Sequence, residues 1–377
     1  MPFARLFLRR DPYNENMSRH LLLVPSLACP ASCSYCFGPH AGGAPMAAKT
    51  VEQTAGWLAQ QASPEDLEIT FHGGEPLLAS AGYYRQALPR LRNAWQGRAV
   101  RFSVQSNLWR LDEEHLEVFS GYPVGLGTSL DGPEEINDAQ RGKGYFRRTM
   151  AGIEKARRRG IPVGCIVTFS AQTAPEWRRV VEFFLFEGLS FSVHAALPVL
   201  GRPAGSPWEL SPSAYGALLS NLLDFYLEHL KVMRLETLDG MIRAVSAGKG
   251  GVGTLGDRLG GYLGGGPGGG GDPFPRFGRG GRVPLGGVDE PPGKLRESAV
   301  WAEFACRQEA ISAACAGCEF LDICRGGCPY NVLARGGGTR FGDDLRDPYC
   351  AAYRRIYSEI TERAAAEGFS EDNLALV

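Results

Sequence analysis

Three thiols, Cys29, Cys33 and Cys36, stand in the stretch Cys29-Pro30-Ala31-Ser32-Cys33-Ser34-Tyr35-Cys36, directly after the apolar run Leu21-Leu22-Leu23-Val24-Pro25. Cysteines at i, i+4 and i+7 on a loop after a strand can converge on one metal centre and leave one coordination position without a protein ligand. A structural zinc site closes with four ligands, and the one nearby fourth candidate is His40, so an iron–sulfur cluster with an open iron suits the set better. A second group runs Cys315-x2-Cys318-x5-Cys324-x3-Cys328 and, after a gap, Cys350, with Cys306 ahead of it. That spacing brings four or five thiolates together, and by itself it leaves zinc and an iron–sulfur cluster equally open. The tenth cysteine, Cys165, lies in the strand-like Ile161–Val167 and reads as a small buried hydrophobe.

The elements that must position these residues follow from periodicity. From residue 20 to about 195, short β-like runs alternate with helical patterns, as consecutive βα units do. Strands are expected at Leu21–Pro25, Leu67–Phe71, Val100–Gln105, Val124–Leu130, Val163–Thr168 and Leu189–Val193. Helices are expected at Thr50–Gln61, Gly82–Trp95, Asp112–Phe119, Tyr145–Arg159 and Pro175–Phe186. Six such units predict an α/β fold, a partial (β/α)6 TIM-like barrel, whose ligand site lies at the carboxyl ends of the strands. Polar residues gather at those ends: His72-Gly73-Gly74-Glu75-Pro76, Gln105-Ser106-Asn107, and Ser129-Leu130-Asp131-Gly132-Pro133 followed by Asn137-Asp138 and Arg141. Two glycines let backbone approach a ligand closely, and a carboxylate beside them accepts hydrogen bonds from an ammonium group. His72 and His194, near strand ends, are read as structural.

Beyond the sixth strand a proline-rich connection, Gly201–Pro212, leads to an amphipathic helix over Pro212–Met233. The composition then changes: 20 of the 46 residues from Gly248 to Gly293 are glycine, a linker-like content broken by Phe274-Pro275-Arg276-Phe277 and Val283–Val288. The chain has 377 residues and a net charge of -1, which argues against a nucleic-acid or acidic-membrane partner held by electrostatics. The basic run Lys155–Arg159 is a solvated helix end. No segment has the length of an apolar bilayer span, and Met1–Arg10 lacks a secretory core and cleavage site. Ten cysteines without a signal peptide point to a reducing cytoplasm.

Three cysteines so spaced, with an aromatic residue before the third, resemble the signature of the radical S-adenosylmethionine superfamily. The Gly73-Gly74-Glu75-Pro76 loop is similar to the segment with which those enzymes hold the amino group of S-adenosylmethionine. The strand-end residues through Gly144 resemble the peptide- and protein-modifying branch that includes the anaerobic sulfatase-maturating enzymes, although Ser106 stands where threonine is usual. The resemblance implies a 4Fe–4S cluster on Cys29, Cys33 and Cys36, and a cofactor pocket containing Tyr35, Gly73, Gly74, Glu75, Gln105, Asn107, Ser129 and Arg141. The C-terminal cysteines resemble the second half of the extension called SPASM, which implies an auxiliary 4Fe–4S cluster on Cys315, Cys318, Cys324 and Cys350. Cys328 is also a metal-ligand candidate, since in that pattern it serves a first auxiliary cluster. The glycine-rich segment lacks that cluster's upstream cysteines, so Cys328 and Cys306 are left over and its loss is expected.

The resemblance divides the chain into an N-terminal extension, 1–19; the barrel, 20–240; a glycine-rich degenerate first half of the SPASM region, 241–299; a SPASM-type iron–sulfur domain, 300–355; and a C-terminal helix and tail, 356–377. It implies reductive cleavage of S-adenosylmethionine to a 5′-deoxyadenosyl radical, which abstracts hydrogen from a peptide or protein side chain, as in maturation of ribosomally made peptides. No catalytic acid or base is assigned. The expected partners are a peptide or protein and a low-potential donor such as flavodoxin or ferredoxin. One alternative is an anaerobic sulfatase maturase, against which Phe274–Phe277 counts, because it lacks the cysteine and aspartate used there. The other is a non-catalytic metal-binding scaffold or electron carrier, against which the open-iron loop and Glu75 count.

Overall fold

The computed structural model describes residues 19–36, 38, 42–60, 66–95, 99–200, 205–249, 262–272, 286–336, 338 and 340–367. His40, Met1–Arg10, Phe274–Phe277 and Val283–Leu285 lie outside the described residues. Six parallel strands form the frame: β1 Arg19–Ser26, β2 Leu67–Gly73, β3 Val100–Gln105, β4 Gly125–Ser129, β5 Val163–Phe169 and β6 Phe191–Ala195. Each pairs with its neighbour in sequence, as in Leu21↔Ile69, Ile69↔Phe102 and Val167↔Val193. Strand β1 is buried from Leu21 to Ser26 without alternation, as befits a strand covered on both faces, whereas β2 and β5 alternate.

Crossovers are made by helices α1 Ala48–Ala59, α2 Ala81–Ala94, α3 Glu113–Gly121, α4 Glu134–Arg141 with α5 Tyr145–Arg158, and α6 Trp177–Glu187. Side-chain caps start two of them: the Ser80 hydroxyl accepts from Tyr83 N, and the Asp112 carboxylate from His115 N. Helix α4 has no counterpart in the periodicity reading. It starts after the Asp131-Gly132-Pro133 turn and carries Asn137, Gln140 and Arg141 on its buried face.

The sheet continues past the six units. Strand β7, Tyr262–Gly265, comes from the glycine-rich segment and pairs in parallel with β1, His20 to Leu23. The short β8 Gly270–Asp272 and β9 Gly286–Gly287 follow antiparallel, so the open sheet runs β6-β5-β4-β3-β2-β1-β7-β8-β9. The physical reason is the exposed edge of β1, whose backbone needs partners. Glycine fits there because a side chain at Gly265 would press on Leu23 Cδ2 at 3.2 Å.

Helices α7 Pro212–Glu228 and α8 Glu236–Ala247 precede the glycine-rich stretch, and α9 Ala299–Ala314, α10 Leu321–Cys324, α11 Pro329–Gly336 and α12 Cys350–Glu367 follow it. The last helix begins at Cys350, earlier than residue 356. It lies along α7: Tyr353 and Tyr349 meet the Tyr215 ring edge-on, the Tyr349 hydroxyl donates to Leu210 O at 2.6 Å, and Ser220 Oγ donates to Glu359. One continuous core joins the sheet to Ile323, Cys324 and α12. No helix among the described residues is long and apolar enough to cross a membrane.

Candidate functional site

The loop bearing Cys29, Cys33 and Cys36 leaves the carboxyl end of β1 and is clamped from two sides. On one side, Gly74 N donates to Ser26 O at 2.9 Å and Glu75 N to Ala28 O at 2.8 Å. The glycine pair is required by this approach. Gly73 has φ +121°, and a Cβ on Gly74 would stand 2.3 Å from Ala28 O and 2.5 Å from Leu27 O. Their closeness is therefore to the cysteine loop's own backbone. On the other side, Ser34 N donates to Gln140 O at the end of α4.

Beneath the loop lies a buried ionic hub that the motif reading passed over. Asp131 is fully buried and accepts from Tyr35 Oη at 2.7 Å, Arg141 Nε at 2.7 Å and Nη2 at 2.8 Å, Gln140 Nε2 at 3.0 Å, and Thr168 N at 2.9 Å. The paired fork on Arg141 is the strong geometry for a guanidinium and a carboxylate. Arg141 also lies over the Tyr35 and Tyr145 rings, 5.3 Å from each centroid, with Nη1 4.0 Å from Cys33 Sγ. Burial alone would lower the Arg141 pKa, but Asp131, Tyr35, Tyr145 and Cys33 together hold it well above its usual value. Burial pushes the Cys33 thiol up to about 11, against the pull of Arg141. Cys36 and Cys29 add smaller contributions to that rise. The only sequence signal for Asp131 was its place in the strand-end turn.

Glu75 is also buried, and its carboxylate binds strand β3's end. Oε1 accepts from Leu77 N and the Ser106 hydroxyl, and Oε2 from Asn107 N, at 2.7–2.8 Å. Burial raises its pKa, partly offset by those hydrogen bonds. Asn107 Oδ1 accepts from Trp109 N, while its Nδ2 is buried with no partner among the described residues. A buried amide donor left open is costly unless an absent group receives it. Gln105 Nε2 reaches Ser129 Oγ at 3.4 Å, over Gly127, where a Cβ would strike Gln105. His72 Nδ1 accepts from Gly73 N, and His194 is exposed at the end of β6. Thus Tyr35, Gly73, Gly74, Glu75, Asn107 and Arg141 meet the cysteine loop directly or through one another, and Gln105 and Ser129 sit on the two strands beyond.

The second cysteine group lines a small void that opens to solvent. Cys315, Cys318, Cys324 and Cys350 all face it, together with Phe320, Arg346, Tyr353, Arg354 and Tyr357. Burial raises Cys324 to about 12, with Asp347, Cys350, Cys315 and Cys318 adding to the rise. Cys328 does not line the void. It belongs to a separate apolar cluster with Leu200, Phe304 and Tyr330. The cause is the turn Arg325-Gly326-Gly327, with φ values of 53°, 78° and 75°. A side chain on Gly326 or Gly327 would collide with Ile311 or Asp347. Cys306 is exposed on α9. Among the described residues no three His, Cys, Asp or Glu side chains lie close enough to hold a single metal ion, which applies to Cys29, Cys33 and Cys36 as well as to the thiols lining this void.

The family model described as the radical SAM superfamily matches residues 23–184. An uncharacterized protein of Methanothermobacter thermautotrophicus is 40% identical over 223 residues, 59% of this chain and 85% of that protein. A cysteine-type anaerobic sulfatase-maturating enzyme of Clostridium novyi is 23% identical over 226 residues, 56% of this chain and 60% of that one. The solved structure of native anSMEcpe with bound AdoMet and Cp18Cys peptide superposes with a TM-score of 0.78 at 22% identity, over 93% of this chain and 98% of that one. At that identity the likeness shows a shared fold.

Proposed function

The chain belongs to the radical S-adenosylmethionine superfamily, and on that premise we propose that it is a radical enzyme that modifies a peptide or protein side chain. The carrying observation is the meeting of four separate stretches, Cys29–Cys36, Gly73–Glu75, Ser106–Asn107 and Asp131–Arg141, at the carboxyl ends of one parallel sheet. These residues fit the family's cofactors: three thiols on one loop, too spread to hold a single ion, suit the larger iron–sulfur cluster, and the open donor on Asn107 suits a polar group of S-adenosylmethionine. When bound, the pair supplies a 5′-deoxyadenosyl radical that abstracts hydrogen from the substrate.

The protein's own part is to orient and to exclude water. Cys29, Cys33 and Cys36 would hold the cluster. Arg141, fixed by Asp131, keeps Tyr35 and the loop in place and sets a positive charge beside the Cys33 sulfur. The buried Glu75 locks the glycine loop to β3, so that Gly73, Gly74 and Asn107 present a rigid wall, with Gln105 and Ser129 extending it. The four thiols at the C-terminal void, Cys315, Cys318, Cys324 and Cys350, would hold an auxiliary 4Fe–4S cluster, while Cys328, in its apolar cluster, would hold none. The peptide reading draws on the fold shared with a structure that holds a peptide. A low-potential carrier such as flavodoxin or ferredoxin in a reducing cytoplasm would supply the electron. Similarity to a cysteine-type anaerobic sulfatase-maturating enzyme favours sulfatase maturation as the second reading.

The test is anaerobic purification, reconstitution with iron and sulfide, and reduction in the presence of S-adenosylmethionine, with chromatography of the products. 5′-Deoxyadenosine forms with the native chain and is lost in Cys33→Ala. A fully reconstituted native chain that makes none overturns the reading. Conversion of a sulfatase-derived cysteine peptide to formylglycine would select the second reading.

A further inference from the structure

Helix α12 does more than supply a thiol. Cys350, Tyr353, Arg354 and Tyr357, at i, i+3, i+4 and i+7, form one helical face, and all four line the C-terminal void. Tyr357 has no exposed surface, and its ring packs against Phe320 with centroids 5.5 Å apart. Its hydroxyl is buried with no hydrogen-bond partner among the described residues. Tyr349, just before the same helix, differs: its hydroxyl is already used on Leu210 O to dock α12. A phenylalanine at 357 would fill the same space without burying an idle donor. The cost of that donor calls for an acceptor that the polypeptide does not provide. The Cys324 thiol and the Tyr357 ring both line this void.

We propose that the Tyr357 hydroxyl donates a hydrogen bond to a sulfur of an iron–sulfur cluster held by Cys315, Cys318, Cys324 and Cys350, and so raises that cluster's reduction potential. The inference rests on the auxiliary cluster proposed above. The sign follows from charge: reduction adds an electron to the cluster, and a donor aimed at its sulfur stabilises the more negative state. Tyr357 is on this account a tuning residue that acts through the cluster.

The experiment uses the full chain carrying Cys29→Ala, Cys33→Ala and Cys36→Ala, so that the C-terminal centre is read alone by electron paramagnetic resonance during a redox titration. Tyr357→Phe is compared in that background. The expected result is equal iron and sulfide per chain, with a reduced-to-oxidised ratio about five- to tenfold lower at a fixed poise. Metal-free Tyr357→Phe should unfold at the same temperature as the metal-free parent or higher, because it sheds an unpaired buried hydroxyl. An unchanged potential in a fully loaded variant overturns the proposal, as does a metal-free variant that is clearly destabilised. A parent that takes up no iron at the C-terminal thiols overturns the auxiliary-cluster reading with it, and this is seen before Tyr357 is changed.

Discussion

Asp131→Asn questions the brace under the cysteine loop most directly. The substitution keeps the shape of the side chain but removes the charge paired with Arg141 and turns one oxygen into an NH2. Either orientation fails: at Oδ1 the new donor faces Arg141 Nη2 and Thr168 N, and at Oδ2 it faces Tyr35 Oη, Gln140 Nε2 and Arg141 Nε. Removing one partner of a buried ion pair costs about 3–5 kcal/mol, because the other is left uncompensated. In a chain of 377 residues that corresponds to a fall in Tm of roughly 4–6 °C. Arg141→Met leaves the complementary defect and should cost a similar amount. The double variant carries neither charge, so its loss should fall short of the sum of the single losses by about 0.5–3 kcal/mol. Thermal and urea unfolding of the anaerobic apoprotein measure these losses. Iron bound per chain after reconstitution should fall in both single variants, since Tyr35 lies between two of the three loop thiols. Single losses below about 1 kcal/mol, or a double loss equal to the sum, would refute the idea that these two side chains form the coupled support of the loop.

Two further outcomes follow. Gly74→Ala puts a methyl against the carbonyl oxygens of Leu27 and Ala28, backbone atoms that cannot swing aside. It should destabilise by about 1–3 kcal/mol and reduce iron uptake by the N-terminal loop, whereas Gly56→Ala, with nothing within 4 Å, should be neutral or stabilising. Equal iron content in the two variants would show that the loops do not need their contact. For pH, burial lowers His20, whose Nε2 meets Thr70 Oγ1 at 2.6 Å, from 6.5 to about 4. The folded protein keeps this imidazole neutral, so its contribution is complete above pH 6.5 and is lost as pH falls towards 4, by at most about 3 kcal/mol. Glu75 and Asp347 act in the opposite sense, since burial raises both, and their contributions fade as pH rises through their folded pKa values. The comparison is therefore between native and His20→Gln proteins in urea from pH 7.5 to 4.5. Parallel curves would remove His20 from the account.

The six strands of the barrel were legible because their side chains carry the pattern: each observed strand lies within about two residues of its apolar run at either end. Strand β7 was not, because its fitness depends on the absence of side chains. Gly265 is there to lie against Leu23, and a glycine run looks the same whether it is paired or not. The thiols divide along similar lines. Cys29, Cys33 and Cys36 share one loop, so their spacing in sequence is close to their spacing in space. Cys324 and Cys328 are nearly as close in sequence, yet the Arg325-Gly326-Gly327 turn sends them into different surroundings, while Cys350 reaches the same void as Cys324 from the start of another helix. Asp131 follows the same logic from the opposite direction. Its partners Gln140 and Arg141 lie 9 and 10 positions away in the same strand-end stretch, but Tyr35 and Thr168 lie 96 and 37 positions away, and no local pattern marks a residue that joins such distant contacts. Spacing therefore identifies ligands where a single turn of backbone carries them. Where several elements must meet, the residues that let them touch divide: Gly73, Gly74 and Glu75 stand out in sequence as one compact motif, whereas the contacts of Gly326 and Gly327 with Ile311 and Asp347 become visible only once the elements have assembled.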